Sequence, residues 1–466
     1  MIAFLARHEW RVLTASAVVQ WVIAIFGVAL LAAAALGAAR AAREQRTFDT
    51  FAHRTSQQLA QPASSRAEVI AHEKGWLAVV PPAPLGALAV GQSDVYPGYL
   101  KVTARNLDAV VTGDQIEHPL AVASGHFDAA FVVLFLYPLL IFAVSFDLTA
   151  TERDRGTLRM MLAQPVRLRD VVIGKMIARA VMLALPVILI PVIVSLATAD
   201  RSATADHSAT ATAVALHTSL PVWTLAVIAY GSIWHGLALL INSRGWDAAA
   251  NALVLAGIWL VFAIVGPASI NLLIAIRYPM PSRVEAAVQA RAATEDATVQ
   301  GSRQLGQFLQ DHPTSANVGQ EGLRQFAMLQ AARDQQIADR LQAVEAAFDV
   351  QLQRQQRLAS WLSLLSPTMV AQGVLLDAAG TSASRFDHFR AEARRFQQRW
   401  KSYFEPRVLD AATLSPEELS AAPMFHYVDP PASVMVRRTV LPIVAMGIAG
   451  ALLLFAGLRG YRGYAL

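Results

Sequence analysis

Glu152-Arg153-Asp154-Arg155-Gly156-Thr157-Leu158-Arg159-Met160-Met161-Leu162-Ala163-Gln164-Pro165-Val166-Arg167-Leu168-Arg169-Asp170 decides how the rest of the sequence is read. The stretch is short, basic and amphipathic. It lies between two apolar runs, Phe131–Leu148 and Val171–Ala197, each long enough to cross a bilayer. A charged connector of this length holds no domain of its own, so it is expected at a membrane surface, where a soluble partner is able to push on it. It is the expected point at which work enters the protein.

The composition agrees with that setting. Hydrophobic residues make up 55% of the 466-residue chain and charged residues only 16%, against roughly 25% charge in an average soluble domain. The apolar residues are gathered in blocks of about 20, the length of a membrane-crossing helix. The fold class expected is an all-α polytopic membrane protein. With no cysteine, neither a disulfide framework nor a thiolate metal site is available, which suits an oxidising compartment. The net charge of +5 is assigned to positive flanks of membrane spans rather than to nucleic-acid binding.

Six spans are expected: Val12–Gly37, Phe131–Leu148, Val171–Ala197, Leu220–Ile241, Ala250–Ile276 and Val440–Leu458. The first is too long for a signal-peptide core and lacks a cleavage context at Ala38-Ala39-Arg40, so it reads as uncleaved. Arg7 and Arg11, the connector arginines with Lys175, Arg244, and Arg459 with Arg462 all fall on one side if the spans alternate. By the positive-inside rule that side is the cytoplasm, placing both termini and the connector there. The chain then divides into residues 1–38 (N-terminal segment and first span), 39–130 (first periplasmic region), 131–276 (four spans with a coupling segment at 150–170), 277–438 (second periplasmic region) and 439–466 (last span and tail).

The first outer region mixes helical and extended character. Pro81-Pro82-Ala83-Pro84-Leu85 and Val95-Tyr96-Pro97-Gly98-Tyr99 read as turns and short strands. The second is mainly helical: Ile337, Leu341, Val344, Phe348 and Leu352 form an amphipathic stripe suited to a neighbouring helix or to pairing with a second subunit. Helices over Thr368–Ala379 and Ser384–Phe404 are expected, divided at Pro367 and Gly380. Leu358, Trp361, Leu362 and Leu365 suit a segment lying flat at the membrane–water boundary. Asp200–Thr218, rich in Ala, Thr and Ser, reads as an outer loop.

Gly125-His126-Phe127-Asp128, Ser145-Phe146-Asp147-Leu148, Glu152-Arg153-x-x-Gly156-Thr157-Leu158 and Gln164-Pro165-Val166-Arg167 resemble the permease subunits of type-2 ABC transporters. The subgroup most similar carries two large periplasmic insertions and is related to the permease of the nitrous-oxide reductase maturation system. The likeness is sharpest over residues 80–180, where Pro84-Leu85 and Tyr96-Pro97 share it, and weak over the second outer region. It implies that the connector is a coupling helix docking into a groove on a separate ATPase subunit, which brings ATP and Mg. It also implies a second permease copy or a sister permease, in the bacterial inner membrane.

The residues themselves suit such a role. Glu152, next to Arg153 near a helix start, complements the dipole, and Arg167 and Arg169 lie beyond the helix end. Gly156 permits a close approach or a sharp turn ahead of Thr157, and Pro165 stops the helix. Leu158, Met161 and Leu162 form a small apolar face, seated either in lipid headgroups or in a partner's groove. Gly174-Lys175 lacks the upstream glycine of a phosphate loop, so no catalytic residue and no bound cofactor are expected in this chain.

Polar residues inside spans are Ser232, His235 and Asn242 in the fourth and Asn251 and Asn271 in the fifth; they either bond between helices or line a substrate path. Gly266-Pro267 marks either a break or a simple kink. His53, His72, His118, His207, His312, His388 and His426 lack metal-ligand spacing, even with Asp377 and Asp387 nearby. The expected function is therefore ATP-coupled translocation across the inner membrane, with export the expected direction. Two alternatives stand beside it: mechanotransmission that does periplasmic work or cofactor assembly without flux, and a membrane-anchored scaffold or receptor.

Overall fold

In the computed structural model of the chain, the first apolar run is two helices. Ser16 is extended (φ −81°, ψ 112°) and separates α1 (Ile2–Ala15) from α2 (Ala17–Ala60). The Thr14 carbonyl opened by this break accepts the Gln20 side-chain amide. The expected first span is corrected accordingly: it begins at Ala17, and Val12 belongs to a separate helix. The structure describes residues 1–60, 66–93, 96–109, 127–202, 209–279, 350–410 and 412–462, with scattered positions between 288 and 310.

Six helical stretches are long and apolar enough to cross a membrane: Ala17–Thr55, Ala129–Asp154, Leu168–Thr198, His217–Asn242, Ala248–Arg277 and Ala432–Gly460. The second comprises a short helical turn, a π-turn at Val132–Leu136 and α3 (Tyr137–Ser145), followed by α4 (Ala150–Asp154). After α5 (Thr157–Leu162), the third and fourth spans are α6 (Leu168–Ser202) and α7 (Ala209–Asn242). Asp200–Ser202 and Ala209–Thr218 thus lie in helices, which shortens the loop expected over Asp200–Thr218; residues 203–208 are outside the described set.

The fifth span is α8 (Ala248–Leu260), a π-turn at Val261–Val265 and α9 (Gly266–Arg277). Gly266-Pro267 neither breaks nor stops it, because the wider π-turn accommodates a proline that cannot donate. Two carbonyls beside these π-turns are filled from elsewhere. Leu134, whose usual partner would be the absent N–H of Pro138, accepts the Tyr230 hydroxyl at 2.7 Å. Phe262, five residues before Pro267, accepts the Ser366 hydroxyl at 2.6 Å. In a dry layer such replacements are close to obligatory.

Helix α10 (Pro367–Ala379) follows directly on Ser366 and packs among the spans. It starts on an N-cap at Ser366 and ends at Gly380 in the left-handed region (φ 76°). Ala371, Val374, Leu375 and Ala378 are buried in the same core as the second, third and fourth spans, and the Thr368 hydroxyl lies 3.1 Å from Tyr230. The fourth span is central. Its contact with the sixth is close because of small residues: a Cβ on Gly450 would meet Ser232 Oγ at 2.0 Å.

Beyond the spans, segments about 300 residues apart in sequence close one core. Strands β1 (Trp76–Val79), β2 (Tyr99–Val102) and β3 (Leu107–Ala109) form an antiparallel sheet with Trp76 opposite Val102 and Leu100 opposite Ala109. The sheet lies against α11 (Ala383–Leu409), whose Phe389, Phe396, Trp400 and Phe404 are fully buried. Trp400 Nε1 donates to the Ala71 carbonyl (3.3 Å) and Gln397 Nε2 to that of Thr103 (3.1 Å). Helix α12 (Pro416–Ser420), opened by a Ser415/Glu418 capping box, leads to the sixth span, α13 (Ala432–Gly460). Of the stripe expected over Ile337–Leu352, only Leu352 falls within the described residues.

Candidate functional site: the connector and its seat

The second span loses helical form over residues 146–149, between α3 and α4. Its backbone groups are then bound by side chains of other spans. Asn242 donates to the Ser145 carbonyl (2.9 Å) and its Oδ1 accepts the Leu148 N–H (3.0 Å). Asn251 donates to the Phe146 carbonyl at 3.2 Å. Thr149 Oγ1 lies 3.3 Å from the Tyr461 hydroxyl.

Two cations one turn apart on α6 repeat a single device. Lys175 Nζ donates to the Leu148 carbonyl (2.9 Å) and pairs with Glu152 (2.6 Å). Arg179 donates to the Val144 carbonyl (2.7 Å) and holds Glu9 of α1 through Nε (3.0 Å) and Nη2 (2.8 Å). Both partners of the second pair are buried. Charge is tolerable there because each cation is met by a carboxylate and a carbonyl, and each carboxylate by its cation. Arg153 reaches the turn between the fourth and fifth spans, donating to the carbonyls of Gly245 and Trp246. The N-terminal helix, the connector, the Arg244 turn and the Tyr461 end therefore meet at one end of the bundle.

The expected connector residues divide into those that seat it and those that face outward. Glu152 and Arg153 seat it, and Thr157 Oγ1 donates to the Glu152 carbonyl (3.1 Å). Gly156 is left-handed (φ 74°), with open space around its missing Cβ, so its role is the turn and not a close approach. Leu158 is fully buried within this chain, and Met161 and Leu162 are half-buried. The small apolar face is thus largely used internally. Outward lie Arg155, Arg159, Met160 (74% exposed), Pro165 and Arg167. Glu9 and Arg179 were missed as site residues; for Arg179 the signal was a charge well inside an apolar run, whereas Glu9 stands among the charges before the first run.

The polar residues named as a possible path are dispersed. Ser232 bonds its own helix at Ala229 (2.7 Å) beside Gly450. His235 is buried, with Nδ1 2.8 Å from the Gly231 carbonyl. Asn251 serves the connector's seat, and Asn271 is exposed near the far end of the fifth span. At the opposite end, Arg385 bonds Asp429 (2.8 Å) and lies over the Tyr427 ring. Burial works against the guanidinium's charge, but Asp429 and Tyr427 outweigh it and hold Arg385 above its ordinary range. No cluster of three metal-binding side chains occurs among the described residues; His118, His207 and His312 lie outside them.

A family model described as a domain of unknown function (DUF3526) matches residues 283–428. That span contains α10, α11 and α12 but none of the connector. No curated protein matches the chain.

Proposed function

We propose that this chain is the permease subunit of an ATP-binding cassette transporter in the bacterial inner membrane, with both termini and the connector in the cytoplasm. The observation that carries the reading is the connector's arrangement: α4 and α5 present an outward surface while Glu152 is paired with Lys175 of the third span, Arg153 bonds the turn between the fourth and fifth spans, and the stretch leading into α4 is held by Asn242 and Asn251. One turn along, Arg179 of the third span holds Glu9 of α1. A push on that surface is delivered to several helices at once. ATP and Mg belong to a partner ATPase, and a second permease, identical or sister, completes the membrane unit. Translocation outward is the favoured direction.

A second reading rests on its own observation. The outer core joins both insertions and is rooted between the spans by α10, with Leu85 N–H bonded to the Ala379 carbonyl (3.3 Å) and Gln92 N–H to that of Thr381 (3.0 Å). Such a lever suits work on a periplasmic partner without flux. Reconstitution with the copurifying ATPase separates the two. ATP-dependent flux supports translocation, whereas chain-stimulated hydrolysis without flux supports mechanical work. If no nucleotide-binding subunit copurifies, both readings fail and a scaffold or receptor remains.

A further inference from the structure

Residues 350–379 descend beside the fifth span and climb back. Gln351 and Gln355 donate to the carbonyls of Pro279 and Tyr278, at the far end of that span. Eleven residues after Gln355, Ser366 bonds the carbonyl of Phe262, and α10 then returns to the outer core. The residues expected to lie flat at a surface instead run antiparallel to a span.

Three contacts fix how deep the turn lies. Phe262 is 15 positions beyond Asp247, the N-cap of α8 beside exposed Trp246, which is about 22 Å of helix. Thr368 touches Tyr230, 12 positions before Asn242, or roughly 18 Å from the connector end. Tyr230 also bonds Leu134, 14 positions before Leu148, or about 21 Å away. A hydrocarbon core is about 30 Å thick, so all three markers put the Ser366 turn inside it, short of its far boundary. By the same measure Asn271, 24 positions beyond Asp247, lies about 36 Å along the span, past the hydrocarbon. Its exposure is thereby accounted for.

Trp361 (74%), Leu364 (61%) and Leu365 (66%) at this turn are exposed, and they continue an exposed apolar face of the fifth span formed by Leu260, Val261, Ile264 and Val265. Arg354 and Arg357, also exposed, sit higher on the descending helix. We propose that Trp361–Leu365 is a lipid-embedded wedge: Leu364 and Leu365 contact acyl chains of the leaflet remote from the connector, Trp361 lies toward its interface, and Arg354 and Arg357 face its phosphates. The pattern of apolar tip, aromatic belt and basic rim follows the polarity gradient of one leaflet. The wedge holds the outer core to the bilayer as well as to the bundle. It depends on the six spans alone and stands whether or not the chain couples to an ATPase.

Because the chain has no cysteine, single-cysteine variants of the full-length protein test this directly. Leu364→Cys, Leu365→Cys, a lipid reference at Leu253 (76% exposed) and a water reference at Gln398 on α11 are labelled with bimane in nanodiscs of phosphatidylethanolamine and phosphatidylglycerol. The expected result is quenching of both wedge labels by doxyl-chain lipids to the extent seen at Leu253, with protection from iodide. Iodide quenching equal to that at Gln398 overturns the proposal, and so does protection from both quenchers, which indicates a covering protein. Trp361→Cys supplies an independent position should one leucine variant fold poorly.

Discussion

The two ends of this molecule are held by different physics. At the connector end, unwound backbone and charged side chains are satisfied one by one, through Asn242, Asn251, Lys175 and Arg179. At the other end, Trp76, Phe389, Phe396, Trp400 and Phe404 bury a continuous aromatic surface between a sheet and a helix. Directional bonds hold a part in one geometry and are lost abruptly when it shifts; broad apolar burial is non-directional and tolerates small displacement. On the proposed reading, that difference would let the connector move with its neighbours as a unit and leave the outer core intact while it is carried.

The sharpest way to break this contrast is to remove one charge from the connector's seat. Arg179→Met leaves Glu9 buried and unpaired, a loss of about 3–5 kcal/mol, whereas Glu9→Leu combined with Arg179→Met recovers most of it; thermal unfolding of the singles and the double measures both. Trp400→Ala should cost a comparable 3–5 kcal/mol, roughly, through a cavity. That loss is expected in the outer core alone, so a spin-label pair spanning α1 and α5 should keep its distance. A change there would mean that the two ends are not separable. Asn242→Ala strips partners from Ser145 and Leu148 and is expected to cost about 1–3 kcal/mol, read as faster hydrogen exchange confined to residues 144–150. Gly156→Ala forces a side chain into the left-handed region at about 1–2 kcal/mol, and since open space surrounds the site the cost should be local to the connector.

Much of the span layout was legible because membrane helices satisfy their own backbone, so hydropathy blocks map directly onto them. Pro367 and Gly380 likewise announced the ends of α10 by local chemistry. Long-range partners were not legible. Glu9 and Arg179 are 170 positions apart, and nothing periodic links Ala71 to Trp400. Pro138 and Pro267 were visible as residues that cannot donate, but the sequence does not say that Tyr230 and Ser366 lie where they can fill the neighbouring carbonyls. For the candidate site, residue type picked out a segment but did not assign its surface: Leu158 packs inward, and Met160 faces out.

That outward surface is where the central claim is tested. Arg159→Glu with Met160→Asp alters exposed positions and leaves the seat of Lys175, Arg179 and Asn242 intact. The wild-type chain, purified with its neighbours, should bring down a nucleotide-binding subunit and change its ATP hydrolysis. The double variant should lose both effects with an unaltered unfolding temperature. Equal hydrolysis and equal copurification for the two chains would contradict the account.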